Sequence, residues 1–135
     1  MKPAYVIAAT AAIVVFGLWI AYRQIRPAVA FPDDLDGSVL NQLVQAGSDL
    51  SKTHQPEFFL YLPDKSAAEH VAGTLKADRF QAEVQRAASG DNWLCLATKK
   101  MVLTHEGMTT LRKRFTALAA EHHGEYDGWG TPVIK

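Results

Sequence analysis

Two hydrophobic periods alternate along the chain from Val39 onward. Val39, Leu40, Leu43 and Val44 recur at helical spacing, and Gly47-Ser48 marks where that first helix stops. The run Phe58-Phe59-Leu60-Tyr61-Leu62, closed by Pro63-Asp64, is short and continuous, which predicts a strand in mid-sheet. Ser66-Ala67-Ala68-Glu69 has the spacing of a capping box, and Val71, Ala72 and Leu75 supply the apolar stripe of a second helix behind it. From Phe80 the period shortens to two: Phe80, Ala82 and Val84 alternate with Gln81, Glu83 and Gln85, as in a half-buried strand. Ser89-Gly90-Asp91-Asn92 makes a turn, and Trp93 to Ala97 opens a strand running toward Met101, which completes a hairpin. Thr104 stands where it can cap the longest helix, whose Met108, Leu111, Phe115, Leu118 and Ala119 share one face and whose last turn ends at Gly124. Glu125 to Ile134 is a final extended segment.

The order strand, helix, strand, strand, helix, strand, with one extra helix in front, predicts an α+β fold. It is a ferredoxin-like βαββαβ two-layer sandwich with both helices on one face of an antiparallel sheet. That architecture hosts many functions and selects none of them.

The N-terminal pattern is different. Ala4 to Ala21 contains 18 residues without a charge. As a helix they would extend roughly 27 Å at about 1.5 Å per residue, long enough for one transmembrane helix. Tyr5, Trp19 and Tyr22 lie near its ends, and Arg23 and Arg26 follow, so membrane contact is expected over residues 4–22. The chain then divides into an anchor (1–26), a Pro- and Asp-containing linker (27–37) and an α/β domain (38–135). Ala28-Val29-Ala30 resembles a signal-peptide cleavage site, but the apolar run exceeds the usual roughly 7–15 residues and two arginines intervene, which favours retention. The excess of positive charge after the span points to a single-pass protein of a bacterial inner membrane with its C-terminal domain in the cytoplasm.

Charge modifies the picture modestly. The chain is formally neutral, yet from Phe31 onward 11 basic residues face 14 acidic ones. A mildly acidic domain has no general attraction for a phosphate backbone, so direct nucleic-acid binding is not expected. The basic run Arg112-Lys113-Arg114, with Lys99 and Lys100 upstream, reads as a solvated helix face.

Catalytic chemistry finds little purchase. The five histidines form no His-x-x-x-His or His-Glu-x-x-His pair. His122 and His123 are adjacent and would diverge by about 100° on a helix. His54, in a loop, His70 on the second helix and His105 in the first turn of the third read as solvated or rim residues. Cys95 is the single cysteine, so no internal disulfide can form, and within an apolar strand its thiol behaves as a small hydrophobe. No Walker-type loop is present. The reading is a protein without catalytic residues, metal or cofactor; a hydrolase using His105, Glu106 or Asp127 is the weaker alternative.

The most distinctive run is Gly124-Glu125-Tyr126-Asp127-Gly128-Trp129-Gly130-Thr131, because glycines on both sides of a tryptophan weaken a strand unless a bulge or a close backbone approach requires them. Tyr126 to Thr131 resembles the C-terminal signature of the RraB family, small proteins that inhibit ribonuclease E by binding it. A looser resemblance extends from about Pro56 through the Phe58 strand, the Trp93-Leu94-Cys95-Leu96 strand and the long third helix. It implies a non-catalytic regulator with a protein partner of the ribonuclease E type and a partner-binding surface at Tyr126, Asp127, Gly128, Trp129 and Gly130. The predicted anchor and the mild acidity depart from the family pattern of unanchored, strongly acidic proteins. Two rival readings stand beside it: Trp129 as a core residue with glycines that let its strand bend, and a membrane-tethered scaffold of the cell envelope unconnected with RNA.

Overall fold

The computed structural model describes residues 5–7 and 31–135. In chain order the elements are β1 (Tyr5–Ile7), α1 (Leu35–Gln45), β2 (Thr53–His54), β3 (Glu57–Leu62), α2 (Lys65–Ala77), β4 (Gln81–Arg86), β5 (Trp93–Thr98), β6 (Met101–Val102), α3 (His105–Glu121) and β7 (Glu125–Pro132). Five strands form one sheet in the order β1-β7-β3-β5-β4, and β2 with β6 forms a separate two-stranded ribbon. Every pairing is antiparallel.

Register follows from the apolar pattern. Phe58 stands opposite Ala97 on one side and Trp129 on the other, and Leu60 opposite Cys95 and Tyr126. These residues share the helix-facing side, because side chains alternate along a strand. The core therefore joins Phe58, Leu60 and Leu62 to Val71 and Leu75 of α2, Met108, Phe115 and Leu118 of α3, and Val39, Leu40 and Leu43 of α1. Phe58 meets Phe80 and Phe115 edge-on at centroid separations of 5.9 and 5.0 Å, and Phe115 meets Tyr126 at 5.5 Å. Such pairs add about 0.5–1.5 kcal/mol each beyond area burial.

The helix starts show which polar residue wins a cap. Thr104 accepts from the Gly107 N–H at 3.0 Å, as its position predicts. At α2 the cap is Asp64, whose carboxylate accepts from the Ala67 N–H at 2.8 Å, and Ser66 lies inside the helix. Asp34 caps α1 through the Gly37 N–H at 2.7 Å, so α1 begins within the stretch read as linker. At the end of α3 the left-handed residue is His123 (φ 60°), not Gly124. Gly124 is needed for another reason: a Cβ there would strike the Tyr61 carbonyl oxygen of β3.

The N-terminus corrects the sequence reading. Tyr5, Val6 and Ile7 lie inside the stretch expected to be a transmembrane helix, yet they form an edge strand opposite Pro132, Thr131 and Gly130 of β7. Among the described residues no helix is long and apolar enough to cross a membrane. The architecture is thus not a sandwich preceded by a transmembrane helix, and the single-pass inner-membrane localisation falls with that helix. The physical reason is that an uncharged run rich in Val and Ile satisfies strand and helix alike, and periodicity alone cannot separate them. The rest of the predicted span and the first four residues of the linker, all within residues 8–30, lie outside the described residues. Beyond βαββαβ the structure also adds β1 at the sheet edge and the β2–β6 ribbon.

Candidate protein-interaction site

Three distant segments meet at Asp36. Its side chain is 3% exposed, and Oδ1 accepts from Trp129 Nε1–H at 3.0 Å and from Arg112 Nη2 at 3.0 Å. Oδ2 accepts from Arg112 Nε at 2.9 Å. The two-pronged guanidinium contact fixes both partners in one plane and is stronger than a neutral hydrogen bond. Arg112 also lies over the Tyr126 ring, 5.3 Å from its centroid. Burial opposes the charge on Arg112, but hydrogen bonding to Asp36 and attraction by that carboxylate prevail and raise its pKa. Burial likewise pushes the Tyr126 hydroxyl well above its ordinary range.

A second link lies two residues away. Asp34 Oδ2 and Oδ1 stand 2.8 and 3.0 Å from His105 Nε2. The Gly37 amide, followed by the hydrogen bond from His105, holds the Asp34 carboxyl below the usual carboxylate range. Together the two links pin the N-terminus of α1 to α3 and β7.

The C-terminal signature is divided by this geometry. Trp129 is fully buried, and its indole N–H is committed to Asp36. Gly128 and Gly130 are buried, Tyr126 is half-buried against Phe115, and Asp127 is exposed. Between the pairs Phe58–Trp129 and Leu60–Tyr126 the register shifts, so β7 carries one residue more than β3. Gly128 has φ 102°, a conformation that favours glycine, and this bulge lets Tyr126 and Trp129 both point to the core.

The opposite face of the sheet is not covered by the helices. Phe59, Tyr61 and Leu96 alternate onto it, are half-buried, and lie outside the core cluster. Glu57, Glu83, Glu125 and Asp127 share that face by register.

The remaining candidates are accounted for structurally. His54 is buried in β2: Nδ1 is 2.9 Å from the Lys52 carbonyl, and Nε2 is 2.7 Å from Ser48 Oγ. Ser48 Oγ in turn accepts from the Ile134 N–H at 3.0 Å, tying the C-terminal segment to the ribbon. His70 and His122 stack with centroids 5.9 Å apart. Cys95 is buried, and burial raises its thiol to about 11. Among the described residues no three His, Cys, Asp or Glu side chains converge as metal ligands. Glu106 is exposed in the first turn of α3. Arg112 is not on a solvated face as expected, whereas Arg114 forms a surface ion pair with Asp78.

Sequence reasoning missed Asp36 because it stood in an apparent linker. Two signals point to it in retrospect: Asp34 three residues before Gly37 is a cap spacing, and Arg112 falls four residues after Met108 and three before Phe115, on the apolar face of α3.

A braced helical layer behind an open sheet face defines an α+β domain that presents a surface. The chain matches the family described as Regulator of ribonuclease activity B (RraB) over residues 33–131, and it belongs to that family, whose members are regulators of ribonuclease activity. A comparison with curated proteins gives no match.

Proposed function

We propose that this chain restrains an endoribonuclease of the ribonuclease E type by binding it, without performing chemistry of its own. The observation that carries the reading is the family match across residues 33–131. Its support within the site is a division of labour in the signature. Trp129, Gly128, Gly130 and Tyr126, which lies under Arg112, set the path of β7, and the exposed Asp127 is left to meet the partner. The buried Cys95 thiol and Tyr126 hydroxyl, both shifted upward by burial, suit packing rather than nucleophilic attack.

The test is a cleavage assay with purified endoribonuclease and a labelled single-stranded RNA, to which the full-length chain is added. Cleavage should fall with added protein until a stoichiometric plateau, and Asp127→Lys should require more protein for the same effect. Unchanged cleavage at saturating protein would refute the reading.

A further inference from the structure

Among the described residues, the sheet face away from the helices carries acid without counterion. Glu57 and Glu83 flank a shallow depression of about 230 Å³ beside Leu96 and Thr98. At the other end of the face, Glu125 and Asp127 flank a second of about 290 Å³ beside Tyr61 and Asn92. None of these four carboxylates belongs to an ion pair among the described residues, whereas several cations of the domain are engaged on the helix side. Lys65 and Arg86 lie over Trp93, Lys99 over Phe80, and Arg112 on Asp36. No basic side chain alternates onto the open face from β3, β4, β5 or the Glu125–Asp127 part of β7. Between the two acidic ends lie Phe59 and Leu96, directly paired across β3 and β5. A face that carries four carboxylates and no basic side chain from its strands favours contact with an opposite charge.

From this arrangement we infer that the open sheet face is the docking surface for a basic segment of a protein partner, with two clusters of Arg or Lys flanking apolar residues. The spacing follows from the register. Glu57 and Glu125, the latter opposite Tyr61, are separated along β3 by four residues, or about 13 Å at roughly 3.3 Å per residue. An extended segment meets both ends with basic residues four positions apart, its intervening side chains lying on Phe59 and Leu96. RNA is the wrong occupant, because its phosphates would face the same unneutralised carboxylates. The inference deepens the reading above, in that the basic segment would belong to the endoribonuclease.

The test uses full-length chain in three forms: wild type, the face variant E57Q/E83Q/E125Q/D127N, and a control, D33N/E69Q/E106Q/E121Q, that removes equal charge from exposed positions elsewhere. Gln and Asn keep side-chain shape, and circular dichroism checks that folding is unchanged. Each form is titrated against two probes, the purified endoribonuclease and a short synthetic peptide with arginine pairs at both ends of a leucine centre. The face variant should bind the endoribonuclease roughly tenfold more weakly than wild type or control, with a flatter salt dependence. Equal binding by all three forms would overturn the docking surface while leaving the endoribonuclease as partner. If the endoribonuclease binds none, the partner reading fails and the peptide decides: peptide affinity lost in the face variant alone supports the surface, and peptide binding that is equal in all forms, or absent, overturns it.

Discussion

Replacing Asp36 with Ala removes one side chain and leaves three donors behind. Arg112 loses both prongs of its contact, and the Trp129 indole N–H, inside a fully buried ring, has no acceptor. Deleting one partner of a buried ion pair costs about 3–5 kcal/mol. The Arg112 side chain is 24% exposed and can recover part of its hydration, which places its share at the lower end of that range. The orphaned indole adds about 1–3 kcal/mol, part of it already contained in the first figure. The expected loss is therefore about 3–4 kcal/mol, or roughly 12–30 °C in Tm for a domain of this size. Urea unfolding followed by tryptophan fluorescence measures it. Asp36→Asn keeps an acceptor but not the charge and should lose less than the Ala variant. In a double-mutant cycle with Trp129→Phe the coupling energy should reach about 1 kcal/mol. A loss below about 1 kcal/mol for Asp36→Ala would show that the network is dispensable and that α1 is held by apolar packing alone.

Four further outcomes follow from particular atoms. Gly128→Ala forces a side chain onto a φ of 102° and should cost about 1–3 kcal/mol in the same assay, whereas Gly73→Ala, where a Cβ meets open space on α2, should stabilise by up to about 1 kcal/mol. Asp34 has a folded pKa below its unfolded value, so its contribution is present above the unfolded pKa and lost as pH falls through the folded one. Acid unfolding of Asp34→Asn should therefore show a smaller drop below about pH 4 than wild type. The Cys95 thiol should resist a thiol reagent at pH 8 in the native state and react fully in urea, since burial both shields it and raises its pKa to about 11.

What the sequence made legible was local. The period-two stretch at Phe80–Val84 and the helical stripe from Met108 to Ala119 appear as β4 and α3, because burial of one face depends on neighbours a few residues away. The Thr104 cap was readable for the same reason. Asp36 was not, since its role is defined by partners 76 and 93 residues distant. The ribbon of β2 and β6 escaped because each strand has two residues, too few for a period. Asp64 displaced Ser66 as the cap because both types qualify and the backbone decides. At Tyr5–Ile7 the residues suit helix and strand alike, and pairing with β7 selects the strand. In the signature, glycines around Trp129 announced an irregular strand, but which neighbour pointed outward depended on the bulge at Gly128.

We propose that this member of the RraB family acts by binding a ribonuclease. Isothermal titration of the full-length chain into purified endoribonuclease of the ribonuclease E type, with single-stranded RNA as the parallel titrant, is the decisive assay. A saturable complex with the enzyme is expected, with an affinity that falls as salt rises, and no heat of binding with RNA. Binding to RNA with none to the enzyme would contradict it.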